Sequence, residues 1–333
     1  MSKPLRAVQI GAGSFCHEFH APVLSRLASG ETPRISLEAI CDLDIERARM
    51  FAKEFGYARA YDDYRRMTAE VEADLIYCMV QPTATAAVVA ELLPRRIPLF
   101  TEKPPGVTVA QAERLAELAT DHDVLNYVAF NRRAMPAVLR LKEWAAANGP
   151  VRYVRAEMLR NRRLESEFAI GTAIHPLDCL RFLCGNVTHV TTRTNPYVGG
   201  EACDFHVRLC FDSGVMADLT VLVDCGVTRE QYAIQVQNRM MEISLGAAYA
   251  CAFVPPGEKE YRNNELVLDR AAPADPLITG GFVGEHNCFL DAVEKGASVL
   301  SSLDDARHSL RLAMAVQDGY CGPMDQYVPR ATA

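Results

Sequence analysis

The first 130 residues alternate short apolar runs with amphipathic segments, and this alternation constrains the fold more than any other feature of the sequence. Strands that are joined by helical crossovers lie parallel in one sheet. The pattern therefore predicts a parallel sheet with helices packed on it. The predicted strands are Leu5 to Ile10, Ser36 to Cys41, Asp74 to Val80, Pro98 to Thr101 and Val124 to Phe130.

A second pattern begins after Asn131. A helix predicted from Pro136 to Ala147 meets the stop signal Asn148-Gly149-Pro150, and long strands follow. Apolar and polar residues alternate on both sides of the turn Asp212-Ser213-Gly214, which indicates an antiparallel hairpin. We expect a second sheet of about five or six strands, mostly antiparallel.

Helices are expected to cover one face of this second sheet. The polar, proline-rich segment from Pro255 to Pro276 is expected to be a loop with one short strand around Leu266. The predicted helices are Thr172 to Leu183, Phe282 to Lys295 and a last helix that is capped by Asp304 or Asp305.

Length and composition exclude several classes of protein. A chain of 333 residues with 49% hydrophobic and 23% charged residues is typical of a folded protein with two domains. A net charge of −7 opposes nucleic-acid binding, which needs clustered Lys and Arg. The run Arg160, Arg162, Arg163 is expected to be a solvated loop, with contact to an anionic substrate group as the alternative.

The N-terminal residues and the cysteines indicate the cellular compartment of the protein. No long apolar stretch precedes the first glycines, so neither a signal peptide nor a membrane anchor is expected. The 11 Cys residues contain no Cys-x-x-Cys pair, which fits a reduced cytosol better than a disulfide framework or a zinc site. We expect a cytoplasmic protein without a membrane partner or a bound metal.

The segment Gly11-Ala12-Gly13 follows the first predicted strand and opens a helix. Glycines in this position let the backbone approach a pyrophosphate at the helix N-terminus. Cys16 stands where a third glycine is usual, and this change is expected to loosen helix packing without abolishing phosphate binding. An ordinary tight turn is the alternative interpretation.

An acidic residue ends the second predicted strand. At this point the carboxylate of Asp42 can accept hydrogen bonds from both adenosine ribose hydroxyls, which favours NAD over NADP. The alternative is that Asp42 or Asp44 only caps the next helix.

Five segments together resemble the Gfo/Idh/MocA family of glucose-fructose oxidoreductase-like and inositol dehydrogenase-like proteins. The most specific is Thr101-Glu102-Lys103-Pro104, which is similar to the family's Glu-Lys-Pro motif. The others are Gly11-Ala12-Gly13 with His20, Pro82-Thr83, Asn131-Arg132-Arg133 and His175-Pro176-Leu177-Asp178.

The resemblance implies an α/β fold with an N-terminal Rossmann parallel sheet and a C-terminal α+β domain with an open, mostly antiparallel sheet. Residues 1–130 would bind the dinucleotide, and residues 131–333 would bind substrate and form the oligomer interface. The implied cofactor-binding residues are Gly11, Ala12, Gly13, Ser14, Phe15, Asp42, Gln81, Pro82, Glu102, Lys103 and Asn131.

The implied catalytic residues are Lys103, His175 and Asp178. Oxidation of an alcohol by NAD releases the hydroxyl proton, and His175 has the side chain best suited to accept it. Lys103 would then hydrogen-bond the substrate oxygen. Asp178 lies three residues after His175, so it would orient His175, bind a substrate hydroxyl, or only interact with the helix dipole. For Lys103 the alternative is a solvated surface lysine, and for His175 a histidine that satisfies a core hydrogen bond.

Two positions depart from the family pattern. Many members have His where this chain has Ala86, and others have Asp where it has Gly171. The expected function is hydride transfer between NAD(P) and a hydroxyl or keto group of a sugar, sugar derivative or polyol. The alternatives are an NAD-binding sensor without turnover, and a glycosidase or lyase with tightly bound NAD.

The resemblance also implies a homodimer or homotetramer formed through the exposed face of the second sheet. Met216 and Leu222 are expected on the strand face opposite Val215, Leu219 and Val223, which would leave apolar surface uncovered in a monomer.

Overall fold

Six parallel strands form the first sheet, in the spatial order β3-β2-β1-β4-β5-β6. The structure, a computed structural model, describes residues 3–197, 202–245 and 256–330. The strand order reverses between β1 and β4, which is where α/β sheets bind their ligands. The strands are β1 Leu5–Ile10, β2 Ile35–Cys41, β3 Arg59–Tyr61, β4 Leu75–Cys78, β5 Leu99–Thr101 and β6 Asn126–Val128.

The sequence analysis found five of these strands and missed β3, which has only three residues, of which one is buried. Three of the five helices between the strands begin at side-chain caps: Asp44, Asp63 and Thr108 each accept hydrogen bonds from backbone N–H groups of the first turn of α2, α3 and α5. These helices are α1 Ala21–Leu27, α2 Ile45–Phe55, α3 Tyr64–Glu70, α4 Pro82–Leu92 and α5 Val109–Asp121.

The second sheet has nine strands in the order β14-β13-β12-β11-β7-β10-β9-β8-β15. The β7–β10 pair is parallel and the other pairs are antiparallel. The strands are β7 Tyr153–Leu159, β8 Val187–Pro196, β9 Cys203–Phe211, β10 Met216–Leu222, β11 Arg229–Val236, β12 Arg239–Leu245, β13 Gly257–Arg262, β14 Glu265–Ala271 and β15 Cys321–Pro323.

The prediction of five or six strands was therefore too low. Part of the difference lies in the segment predicted as a loop with one short strand around Leu266. The structure confirms that strand as β14 and adds β13, which pairs with it in a hairpin. Asn263 and Asn264 turn this hairpin with φ of 50° and 68°, a conformation that Asn tolerates. β13 is polar, and β14 is largely exposed with a continuous Leu266-Val267-Leu268 run, so neither strand has the apolar alternation of a half-buried strand. Pro255 lies outside the described residues.

Five further helices are α6 Pro136–Asn148, α7 Ile174–Cys184, α8 Pro276–Thr279, α9 Phe282–Lys295 and α10 Leu303–Gln317. The cap predicted for the last helix was wrong, because Asp304 and Asp305 lie inside α10. The hydroxyl of Ser302 accepts from the N–H of Asp305 at 3.2 Å and caps the helix instead.

The described residues form two compact units. Residues 3–130 and 282–307 make up the first, and residues 131–281 and 308–330 make up the second. The sequence analysis assigned the segment 282–307 to the second domain, whereas the structure groups it with the parallel sheet. In agreement with this grouping, Phe289 and Leu290 of α9 are buried in the same core as Tyr77 and Phe100.

Within the described parts of the chain, the helices are too short or too polar to cross a lipid bilayer.

Candidate cofactor and active site

The turn after β1 depends on glycine for two separate reasons. Gly11 has a φ of +100°, and a Cβ atom there would lie 2.2 Å from the carbonyl oxygen of Met79. A Cβ atom on Gly13, by contrast, would meet no atom within 4 Å. Gly13 and its exposed neighbour Ser14 therefore leave open space over the turn, as the approach of a pyrophosphate requires.

Cys16 fills the place of the usual third glycine. Its side chain is buried, its sulfur lies 3.2 Å from the amide nitrogen of Gln9, and burial raises the pKa of its thiol. The chain from Cys16 to His20 is a wide π-helical segment before α1 begins. The larger residue thus stands at the start of a wider helical turn, and the looser packing expected here stays a prediction.

Asp42 follows β2 and points back to the glycine turn. Its carboxylate accepts hydrogen bonds from the N–H groups of Ala12 and Asp44, at 2.8 and 3.0 Å, and from the guanidinium of Arg47 at 2.5 Å. Burial opposes ionisation, but these donors outweigh it and lower the pKa of Asp42. The cap of α2 is Asp44, so a capping role does not account for Asp42.

The same edge of the sheet carries the start of α4. Gln81 and Pro82 follow β4, are exposed, and form the first turn of this helix, whose N–H groups favour an anionic group. Phe15, from the glycine turn, is half-buried and packs against Phe19 and Phe282 at centroid distances of 5.0 and 6.0 Å. The carboxyl ends of β1, β2 and β4 therefore bring their predicted cofactor residues to one edge.

Glu102 and Lys103 follow β5 at this edge. The carboxylate of Glu102 is bound on both oxygens: Oε1 lies 2.5 Å from Nε2 of His20, and Oε2 accepts the backbone N–H of Lys103 at 3.1 Å. Lys103 is half-buried, and Pro104 and Pro105 after it are buried. The backbone that carries the Lys103 amine is thus held on one side by the Glu102 carboxylate and on the other by the two buried prolines.

His175 and Asp178 belong to the second unit, on α7. His175 is buried, with 9% of its surface exposed. Asp178 is fully buried and accepts hydrogen bonds from Nε and Nη2 of Arg133, at 2.8 and 2.6 Å, and from the hydroxyl of Ser309 at 2.6 Å. These contacts favour a structural role for Asp178 over contact with substrate.

Asn131 also lies in the second unit. Its amide nitrogen donates to the carbonyl of Gly280 at 2.8 Å, and its amide oxygen accepts from Arg132 at 2.9 Å. Both functional groups of the side chain are thus engaged within this unit. A cofactor contact of Asn131 remains a prediction.

The expectation that Arg160 is solvated was wrong. Arg160 has 8% of its surface exposed and donates to Glu230 at 2.7 Å, and Arg132 reaches the same carboxylate at 3.1 Å. Burial opposes ionisation of Glu230, but the two arginines lower its pKa to about 2. Only Arg162 and Arg163 of the run belong to more exposed surface.

Two features of the site escaped the sequence analysis. Arg47 contacts Asp42 from α2, and His286 contacts His20 at 3.0 Å from α9. Arg47 lies five residues after Asp42 on a capped helix, a spacing that could have revealed it. His286 is separated from His20 by 266 residues, so only the fold brings the two together.

Residues 5–130 match the model of an oxidoreductase family with an NAD-binding Rossmann fold, GFO_IDH_MocA. This match covers the N-terminal domain and agrees with the predicted resemblance to the Gfo/Idh/MocA family of oxidoreductases. The family description also confirms the prediction of NAD as cofactor, and the open space at Gly13 and the carboxylate of Asp42 fit that molecule.

Among curated proteins, the D-apiose dehydrogenase of Paraburkholderia graminis is 28% identical over 257 residues, which are 72% of this chain and 66% of that protein. The inositol 2-dehydrogenase of Acidothermus cellulolyticus is 29% identical over 240 residues, 67% of this chain and 68% of that protein. The matches span about two thirds of the length of these relatives.

Among solved structures, an oxidoreductase from Agrobacterium radiobacter in complex with NAD+, L-tartaric acid and magnesium has a TM-score of 0.81 at 19% identity. The superposition covers 95% of this chain and 96% of that one. It confirms the predicted fold class of a parallel Rossmann sheet and a second domain with a mostly antiparallel sheet.

Proposed function

We propose that this protein is an NAD-dependent dehydrogenase that acts on a hydroxyl group of a sugar, a sugar derivative or a polyol. The observation that carries the proposal is the position of Lys103, directly after Glu102 at the sheet edge that presents the Gly11 turn and Asp42. A cofactor on that edge would place an ammonium group near its reacting end. The names of the D-apiose and inositol dehydrogenases support the substrate class.

Bound NAD supplies the acceptor of the hydride that leaves the alcohol carbon. The protein must then accept the hydroxyl proton and bind the substrate oxygen. Lys103 donates a hydrogen bond to the substrate oxygen, and His175 accepts the proton through an imidazole nitrogen. The glycine turn and the first turn of α4 bind the pyrophosphate, and Asp42 binds the adenosine ribose.

Asp42 supports NAD rather than NADP. A 2′-phosphate would approach a carboxylate whose pKa is already lowered by its donors, so two negative charges would meet. Arg47 lies 2.5 Å from Asp42 and is engaged by it, which reduces its availability to a phosphate.

The test is absorbance at the reduced-nicotinamide band while sugars, cyclitols and their phosphates are mixed with the enzyme and NAD or NADP. Reduction of NAD by at least one polyol is expected. If calorimetry shows NAD binding while no compound in the panel is oxidised, the proposal fails in favour of a sensor or of a lyase with tightly bound NAD. The experiment also bears on Gly171, a position where the resemblance implies Asp in some members of the family.

A cytoplasmic location is also part of the proposal. The ten cysteines within the described ranges are all free thiols, and five of them are buried. Free thiols persist in a reducing compartment. Fractionation of the source cells would test this location, and recovery of the protein outside the cytoplasm would contradict it.

For assembly we propose a homodimer or homotetramer that uses the open face of the second sheet. Met216 is 49% exposed and Leu222 half-buried, while Val215, Leu219 and Val223 are buried on the opposite face. Light scattering is expected to give twice or four times the mass of one chain, 36.7 kDa. A monomer at micromolar concentration would contradict the proposal.

A further inference from the structure

A chain of buried histidines lies behind Glu102 in the first unit. Nε2 of His20 is 2.5 Å from Oε1 of Glu102, and Nδ1 of His20 is 3.0 Å from Nε2 of His286. Both imidazoles are fully buried. His20 is the last residue of the π-helical segment that follows the glycine turn, and its ring contacts that of Phe15 at a centroid distance of 5.5 Å.

The hydrogen-bond directions in this chain follow from its two ends. At one end the carboxylate of Glu102 is an acceptor, so Nε2 of His20 carries the proton and Nδ1 of His20 accepts one. Nε2 of His286 then donates to that Nδ1. At the other end, Nδ1 of His286 has no hydrogen-bond partner among the described residues, which suits an unprotonated nitrogen better than a buried N–H.

The interior around His286 disfavours the protonated form of this ring. Burial first, and then the neighbouring His20, lower the pKa of His286 well below 6.5. The ring of Phe100 stacks on His286 at a centroid distance of 4.8 Å. The groups that face His20 from the elements packed against it are Glu102 after β5, Glu285 and His286 on α9, and the rings of Phe15, Phe100 and Phe282.

We propose that His20, supported by His286, is a positioning residue that holds Lys103 in place through the carboxylate of Glu102. Glu102 accepts from His20 on one oxygen and from the Lys103 backbone on the other, so its carboxylate transmits the position of His20 to the Lys103 backbone. This inference rests on the proposed function, because it assigns Lys103 a part in the reaction.

Two substitutions of His20 separate positioning from simple packing. In His20→Gln the side-chain amide can occupy the place of Nε2 and still donate to Glu102. In His20→Asn the amide lies near the place of Nδ1, so the contact with His286 can persist but the donor to Glu102 is lost. His286→Gln and His286→Asn make the same comparison at the next histidine of the hydrogen-bonded pair. These two variants replace the His20 variants in the test if a His20 variant does not fold.

The first readout is hydrogen exchange of a peptide that spans residues 101–107, with and without NAD. Because Pro104 and Pro105 have no N–H, the Lys103 amide is a large part of the signal. Its exchange is expected to be about 10-fold faster in His20→Asn and close to wild type in His20→Gln. Equal exchange in both variants would overturn the proposal.

The second readout is turnover of NAD with a polyol. His20→Asn is expected to lower kcat about 100-fold with little change in KM for NAD, and His20→Gln to restore kcat to within about 3-fold. The wild-type protein could turn over no polyol while hydrogen exchange of residues 101–107 still differs between His20→Asn and His20→Gln. In that case only the proposed function fails. If kcat is equal in both variants, the positioning role fails.

Elemental analysis completes the test. The nitrogens of His20 and His286 and a Glu285 oxygen lie within 4.8 Å of one another, a donor set that could also hold a metal ion. Less than about 0.1 divalent cation per chain is expected. One tightly bound cation per chain would overturn the direct His20–His286 hydrogen bond and with it the proposal.

Discussion

Asp178 and Arg133 form a bidentate ion pair in the interior of the second unit, with both side chains almost wholly shielded from solvent. Ser309 donates a third hydrogen bond to the same carboxylate. A buried guanidinium without its carboxylate is strongly unfavourable. The pair therefore gives a structural reason for an acidic residue on the inner side of α7.

Asp178→Ala is expected to lower the free energy of unfolding by about 3–5 kcal/mol, because it leaves Arg133 buried without a counter-charge. Urea unfolding would measure the change. The double variant Arg133→Met/Asp178→Leu removes both charges and is the control, expected to be more stable than Asp178→Ala. An Asp178→Ala protein of normal stability but without turnover would instead support the catalytic role that the sequence suggested.

Asp42→Ala is expected to raise KM for NAD about 10-fold and to reduce the preference for NAD over NADP. The change removes an acceptor for the ribose hydroxyls and releases Arg47 toward a 2′-phosphate. Steady-state kinetics with both cofactors would measure this. Asp44→Ala is the control: it removes the cap of α2, at about 1 kcal/mol of stability, without altering the cofactor preference. An unchanged preference in Asp42→Ala would contradict the ribose assignment.

Lys103→Met and His175→Ala are expected to lower kcat by about 10²- to 10⁴-fold while calorimetry shows NAD binding close to wild type. Lys103 loses its hydrogen bond to the substrate oxygen, and His175 loses proton transfer. Full activity in either variant would remove that residue from the proposed mechanism.

Glu230 makes the second unit sensitive to acid. Its folded-state pKa of about 2 lies below the ordinary value of 4.5, so its stabilising effect is complete above pH 4.5 and is lost as the pH falls toward 2. Unfolding followed by circular dichroism between pH 6 and 2 would measure the slope. In Glu230→Gln this part of the slope should disappear, together with about 3–5 kcal/mol of stability at neutral pH. An unaltered acid slope would show that the ionisation of Glu230 is not coupled to folding.

His286 makes the first unit sensitive to milder acid. Because its folded-state pKa is lowered, the unfolded chain binds a proton below pH 6.5 that the folded chain does not. Stability is therefore present above pH 6.5 and falls below it, by at most about 1.4 kcal/mol per pH unit for this one group. His286→Gln should reduce the slope.

Local sequence was sufficient for the parallel sheet and for most of the cofactor edge. The strands around Ala7, Ile40 and Tyr77 are short apolar runs that are buried, so their period and bounds are visible in the chain itself. Gly11 and Asp42 were found for the same reason: each is defined by its place directly after a strand, and parallel strands present their carboxyl ends at one edge.

Exposed and long-range features could not be found in this way. The hairpin of β13 and β14 lacks apolar alternation because both of its faces are largely solvated, so only its pairing with β12 makes it part of the sheet. The cap of α10 was misplaced because Ser302, Asp304 and Asp305 are all suitable capping residues, and only the backbone geometry selects Ser302.

The sequence by itself determined the Rossmann domain, its family resemblance and the residues after each strand, because these depend on local periodicity and short motifs. The partners of the buried charges were decided by the tertiary structure alone. Arg160 was expected in solvent and is buried on Glu230, 70 residues away, and His286 joins His20 across 266 residues. The physical reason is that a buried polar group must find a partner, and which partner lies within reach depends on how distant segments pack.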